Sequence, residues 1–154
     1  MKINVMGRAP QEIKKQIKNI SSKTLSFMKQ PNNLEMTVKI VSPKQIQELN
    51  KNLRNVDKVT DVLSFPSLNL LDGEIVVPSY LKESTFDGVN VYIGDCAICL
   101  EVAKKQAEEH GITYEMEIDK LICHSVLHLL GFDHVKSRDF ERMHSFEVRI
   151  LGDY

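Results

Sequence analysis

The chain has 154 residues, 42% of them hydrophobic, with a formal net charge of −1 and three cysteines. This length and composition predict a single globular domain, residues 1–154, with a full hydrophobic core. No run approaches the roughly 18 apolar residues that span a bilayer, and neither a signal peptide nor a disulfide framework is indicated, so we expect a cytoplasmic protein.

The first part of the chain predicts two strand–helix pairs. Residues 3–5 indicate a short strand, and Pro10 opens an amphipathic helix with a basic outer side. Strict alternation of apolar and polar residues over 34–40 is typical of a half-buried strand. Residues 42–45 (Ser-Pro-Lys-Gln) then combine a capping box with a proline at the first helical position, which predicts a helix that ends near Arg54.

Strands and turns dominate the middle of the chain. Residues 62–65 predict a strand that Pro66 stops. Residues 66–90 are rich in turn formers, which indicates a hairpin or a long excursion with a strand at 74–77. The next strand is expected near residues 91–99.

Three helices complete the prediction. They cover residues 100–110, residues 118–130 and a last segment that carries Phe140 and Ile150 on one side. The predicted fold class is therefore α/β (α+β), a small mixed β-sheet packed with about five helices. His110 should lie at the C-terminus of its helix, where a cation is favoured, and His144 should be exposed.

The cysteines are predicted to be core residues. Cys96 and Cys99 form a C-x-x-C pattern, but in a strand two positions that are three apart face opposite sides of the sheet. Cys123 precedes His124 and is turned about 100° away from it on the helix. We therefore do not expect Cys96 and Cys99 to bind one metal ion together, nor Cys123 to bind one together with His124.

A cluster of histidines in residues 124–134 indicates a metal site. His124 and His128 are one helical turn apart and therefore point from the same face. Gly131 can take a positive φ and reverse the chain, which brings His134 back towards the same ion. The segment is apolar almost all round, so it should be buried, and buried imidazoles without partners are costly. Three neutral nitrogens suit one Zn²⁺ ion, with the fourth tetrahedral position left to water.

The spacing of these histidines is that of the metzincin proteases, H-E-x-x-H-x-x-G-x-x-H. In those proteases the glutamate beside the first histidine is the general base. Ser125 takes its place here. A serine does not accept the proton of a zinc-bound water near neutral pH, so the sequence argues against a protease.

The same stretch resembles the YbeY family of bacterial endoribonucleases, whose pattern is H-G-x-L-H-L-x-G-Y-D-H. Ser125 replaces the glycine and Phe132 the tyrosine, while the three histidines and the other fixed residues agree. Two further blocks that resemble the family precede it in the expected order, within residues 49–66 and 93–107.

The resemblance implies a zinc-dependent, single-strand-specific endoribonuclease for 3′-end maturation of small-subunit (16S) ribosomal RNA and for ribosome quality control. It further implies that His124, His128 and His134 are the zinc ligands and that Arg54 is a functional residue of the cleft. The expected partners are single-stranded ribosomal RNA and the ribosome or its small subunit. Residues 1–60 contain 12 Lys and Arg against 4 Asp and Glu, a balance that is compatible with RNA.

Two other classes of function stay open at this point. A zinc-dependent hydrolase of another substrate would keep the open metal position without a preference for single-stranded RNA. A non-catalytic ribosome-assembly factor would close its structural zinc with a fourth protein ligand such as Cys123, Asp133 or His144. The number of protein ligands on the metal distinguishes the assembly factor from the enzymes.

Overall fold

The described strands form one mixed β-sheet. The computed structural model describes residues 1–76, 90–132 and 137–152, the side chains of residues 137–139 excepted. Within these residues the strands are β1 (Lys2–Met6), β2 (Leu34–Ile40), β3 (Val62–Pro66) and β4 (Val91–Ile98). They lie in the order β1-β2-β4-β3, with β3 antiparallel to β4 and the other neighbours parallel. The predicted mixed sheet is therefore confirmed.

In the described part of the chain, five helices pack around this sheet, as the sequence predicts. They are α1 (Gln11–Phe27), α2 (Pro43–Arg54), α3 (Leu100–His110), α4 (Tyr114–Leu129) and α5 (Ser137–Leu151). α1, α4 and α5 contribute to the main core on one face of the sheet, whereas Ile46 of α2 packs in a smaller cluster with Leu63 of β3. The α+β class is confirmed, and no helix in the described ranges is long and apolar enough to cross a membrane.

The cysteines lie in the core, as predicted. Cys96 belongs to the main core, whereas Cys99 belongs to the cluster beneath α2, so the two thiols occupy opposite faces of β4. Cys96, Cys99 and Cys123 are all buried and free. Cys99 follows the last residue of β4 and caps the start of α3, so the C-x-x-C pattern spans the end of a strand and does not bring two sulfurs to one ion.

Side-chain caps set the starts of α2 and α4. The predicted capping box is present, since the Ser42 hydroxyl accepts from the Gln45 amide at 3.2 Å and the Gln45 side chain accepts from the Ser42 amide at 2.9 Å. The predicted start of the histidine helix at 118 is wrong, because α4 begins at Tyr114. The Thr113 hydroxyl caps it by accepting the Met116 N–H at 3.1 Å.

The segment after β3 differs from the prediction. Residues 74–76 form no strand, and the last residue of the predicted strand, Val77, lies outside the described residues. The buried side chain of Gln30 takes the place of a neighbouring strand. It accepts the Val76 N–H at 3.1 Å and donates to the Glu74 carbonyl at 3.0 Å. These hydrogen bonds pair one N–H and one carbonyl of the segment outside any β-ladder.

Candidate metal centre and cleft

α4 brings two of the three predicted ligands together. His124 and His128 lie one turn apart on this helix, and their Nε2 atoms are 3.0 Å from each other. The two rings meet edge to face, with centroids 4.6 Å apart. Both side chains are half-buried, so they face the cleft from within the core helix.

The other ring nitrogen of each histidine has an acceptor. His128 Nδ1 lies 2.7 Å from the backbone carbonyl oxygen of Phe132, and His124 Nδ1 lies 3.2 Å from a carboxylate oxygen of Glu147 on α5. A carbonyl oxygen can only accept, so Nδ1 of His128 carries a proton, and the carboxylate favours the same tautomer for His124. In the neutral imidazoles, both Nε2 lone pairs then point to one place.

This arrangement fits a metal ion. Two lone pairs 3.0 Å apart repel unless a cation or a proton lies between them. Two Zn–N bonds at the tetrahedral angle would separate the nitrogens by about 3.3 Å, close to the observed spacing. Ligand histidines also characteristically donate their second N–H to a carboxylate or a backbone carbonyl, which are the two acceptors found here.

The third predicted ligand stays a prediction. His134 and its neighbour Asp133 lie outside the described residues. Within the described ranges, no group of three or more His, Cys, Asp or Glu side chains is arranged to hold a metal ion. Of the three predicted ligands, the structure describes the two on α4, His124 and His128.

Gly131 ends the histidine helix as predicted. Its φ is +96°, which lies in the region that favours glycine. A Cβ at this position would lie 2.2 Å from the Leu70 carbonyl oxygen, so the segment after β3 crosses directly over the glycine. The Gly73 amide also donates to the Leu130 carbonyl at 2.9 Å. Gly131 therefore serves both the turn and the close approach of the cleft wall.

Ser125, which stands where the protease pattern has glutamate, is buried between α4 and the sheet. Its hydroxyl lies 2.6 Å from the Ser64 hydroxyl of β3, and its side chain lowers the pKa of the neighbouring Cys96 thiol against the larger effect of burial. Burial raises the pKa of Cys96 to about 12, so the thiol is neutral. With no exposed surface, Ser125 packs between α4 and β3.

An open cleft of about 640 Å³ lies in front of the histidine pair, a size typical of small-molecule and catalytic sites. Arg54, at the end of α2, lines it together with His124, His128 and Lys120 of α4. The structure thus places Arg54 in the same cleft as the two described histidines. Its functional role stays a prediction.

A polar network at one end of this cleft was not predicted. Glu117, only 2% exposed, lies on α4 two turns before His124. With its amide oriented to donate, Gln106 reaches Glu117 at 3.2 Å and Asp61 at 3.1 Å. His110 Nδ1 lies 3.2 Å from the second Glu117 oxygen. In the sequence, the only indication of this network is the separation of seven residues, or two helical turns, between Glu117 and His124. No sequence pattern indicates that Glu147 contacts His124.

The remaining candidate ligands lie elsewhere. Cys123 is buried in the main core, and burial raises the pKa of its thiol to about 12. His144 is exposed on α5, as predicted, and its ring lies parallel to Phe140. His110 is the last residue of α3, as predicted. Cys123 and His144 therefore do not join the described histidine pair.

The fold and the cleft define the class of the protein. It is a small α+β protein whose central helix presents two histidines to an open cleft with a volume typical of catalytic sites. The family can be stated as well. Residues 3–154 match the family model of endoribonuclease YbeY, and the chain belongs to this family of hydrolytic nucleases.

Individual relatives agree with this assignment. The endoribonuclease YbeY of Clostridium botulinum is 39% identical over 148 residues, which cover 94% of this chain and 89% of the relative. That of Caldicellulosiruptor bescii is 40% identical over 141 residues, which cover 92% and 86%. The solution structure of TM1509 from Thermotoga maritima is similar, with 26% identity, a TM-score of 0.57 and coverage of 97% and 89%.

Proposed function

We propose that this protein is a zinc-dependent, single-strand-specific endoribonuclease that acts in 3′-end maturation of 16S ribosomal RNA and in ribosome quality control. Membership of the YbeY family supports the reaction class. The observation that carries the metal dependence is the pair of Nε2 atoms 3.0 Å apart, each on a ring whose Nδ1 has an acceptor. The proposed role requires a cytoplasmic location. The three free cysteines are consistent with the reducing environment of that compartment.

The metal would be held by His124 and His128 together with His134. A bound zinc ion would polarise the scissile phosphate and lower the pKa of a bound water to about 7. Glu147 holds the His124 ring by accepting its Nδ1 proton, and the Phe132 carbonyl does the same for His128. These contacts fix the direction of both Nε2 lone pairs before substrate arrives, which is the preorganisation that catalysis needs.

Arg54 and Lys120 would bind the RNA backbone. Both line the cleft that holds the histidine pair. A guanidinium offers two parallel N–H donors that match the oxygens of a phosphate, so Arg54 is suited to brace the scissile group. Lys120 adds a second positive charge one helical turn before His124. The cleft lining also carries Asp61, Glu117 and Glu147, so we expect phosphate groups to bind at Arg54 and Lys120 and not across the whole cleft.

The direct test is cleavage of matched single-stranded and double-stranded RNA by purified protein whose zinc content is measured. We expect cleavage of the single strand only, in proportion to bound zinc. His128→Ala should lose both zinc and activity, whereas His144→Ala should keep its zinc because His144 lies outside the cleft. Circular dichroism of both variants checks that they are folded.

The outcomes separate the candidate functions. Cleavage that persists after complete removal of zinc would contradict the metal role. Stoichiometric zinc without cleavage of free RNA or of precursor 16S RNA in ribosomal particles would instead favour an assembly factor. Equal cleavage of single and double strands would contradict the proposed substrate preference.

A further inference from the structure

A second, smaller groove opens beside the cleft, between α5 and the start of α4. Its volume is about 270 Å³, and it is lined mainly by Ile112, His144, Val148 and Leu151. Lys120 and Glu147 line both this groove and the cleft, so the two cavities meet at these residues. A strand bound at the histidine pair would therefore pass Lys120 to enter the groove.

The groove has the character of a surface that binds a flat apolar group. Val148 is 44% exposed although it is apolar. His144 contributes an exposed ring to the groove, and this ring lies nearly parallel to that of Phe140 outside the groove, at an angle of 5° with centroids 6.3 Å apart. Aromatic and apolar side chains on which a base can stack, next to a cation for the backbone, are the usual elements of single-strand binding.

Lys120 supplies the cation at the junction. Among the described residues, no carboxylate forms a salt bridge with it. The nearby Glu147 carboxylate is instead directed at His124 Nδ1, 3.2 Å away. Lys120 precedes His124 by four residues, which is about 6 Å along a helix axis.

We propose that this groove is a nucleobase subsite for single-stranded RNA, and that Lys120 binds the phosphate that connects it to the cleft. The inference rests on the proposed endoribonuclease function and adds a binding position to it. A base flanking the scissile phosphate packs against Val148 and the His144 ring.

The test is a scan with a fluorescent single-stranded RNA dodecamer in which one abasic residue is moved along the strand. Binding to the zinc-loaded protein is measured by anisotropy. In the unchanged protein we expect one position at which loss of the base weakens binding about five- to tenfold. Val148→Glu should weaken binding of the intact RNA by a similar factor and remove the effect of the abasic residue at that position.

Lys120→Gln should weaken binding of every RNA in the series about equally, because the substitution removes a phosphate contact. For the same reason, the affinity for RNA should depend less on salt concentration. Matched controls are Met6→Glu, an exposed apolar residue on the distant edge strand β1, and Lys104→Gln, an exposed lysine of α3. Neither control should change the scan. Both cavity variants change exposed or half-exposed residues, so they should fold normally.

Two results would overturn the inference. A flat abasic scan with tight RNA binding would exclude a base subsite while leaving the proposed function intact. An abasic effect that is unchanged in Val148→Glu would place the base elsewhere. If the unchanged protein bound no RNA at all, the proposed function would fail and this inference with it.

Discussion

The Glu147 carboxylate lies 3.2 Å from Nδ1 of His124 and so joins α5 to the histidine helix α4. The contact is sheltered, since the Glu147 side chain is 17% exposed and that of His124 is 32% exposed. It determines which nitrogen of His124 carries the proton and therefore which one is available as a ligand. A residue far along the chain thus decides the chemical state of a residue in the histidine motif.

Removing this carboxylate should weaken metal binding. We expect Glu147→Ala to lower zinc affinity about 10- to 100-fold, because the His124 ring loses its orientation and some of its basicity. Glu147→Gln should lose less, since the amide oxygen still accepts the Nδ1 proton. Competition with a chromophoric chelator measures the affinity. Glu141→Ala, an exposed glutamate of the same helix, is the control and should bind zinc as the unchanged protein does.

Arg54 can be separated from the metal site. Arg54→Ala should lower kcat/KM for single-stranded RNA about 100-fold while zinc content is unchanged, because a positioned donor to the phosphate is lost. Arg54→Lys keeps the positive charge but loses the two parallel N–H donors. Its kcat/KM should therefore lie between those of the unchanged protein and Arg54→Ala. Lys51→Ala, in the last turn of the same helix, serves as the control. A rate equal to that of the unchanged protein would remove Arg54 from the active site.

Gly131 and Gly111 should respond very differently to alanine. Both have positive φ, +96° and +67°, but only at Gly131 would a Cβ meet another atom, the Leu70 carbonyl oxygen at 2.2 Å. Gly131→Ala should therefore lower the free energy of unfolding by about 2–4 kcal/mol, from backbone strain and the clash together. Gly111→Ala should cost about 1 kcal/mol, from the backbone alone. Urea denaturation measures both, and equal losses would contradict the close approach.

The Cys96 thiol makes stability depend on pH in the alkaline range. Burial raises its pKa to about 12 in the folded protein, against about 8.5 in the unfolded chain. Above about pH 8.5 the unfolded chain loses a proton that the folded protein keeps, so stability falls as pH rises. The slope from this group is about 1.4 kcal/mol per pH unit until the folded pKa is reached.

Cys96→Ala tests this linkage. The variant should lose stability at neutral pH because it leaves a small cavity, yet its free energy of unfolding should fall less steeply between about pH 9 and about pH 11. Equilibrium unfolding in urea at a series of pH values gives the slope. Identical slopes in the two proteins would show that Cys96 titrates alike in the folded and unfolded states.

Local patterns predicted most of the secondary structure. Strand alternation, the Ser42 capping box and the positive φ at Gly131 depend on residues within a few positions of each other, so the sequence contains the necessary information. The start of α4 was missed because its first turn is more polar than the rest, and only the Thr113 cap marks it. The strand predicted at 74–77 is absent over the described residues 74–76. There the side chain of Gln30, distant in sequence, hydrogen bonds the Val76 N–H and the Glu74 carbonyl.

By itself, the sequence determined the histidine pair, since a separation of four residues on a helix places two side chains on one face whatever surrounds them. Only the tertiary structure decided what surrounds that pair. Glu147 reaches His124 because α5 packs on α4, and Arg54 lines the cleft because α2 ends beside it. Such contacts depend on how whole elements pack, and no short stretch of sequence encodes them.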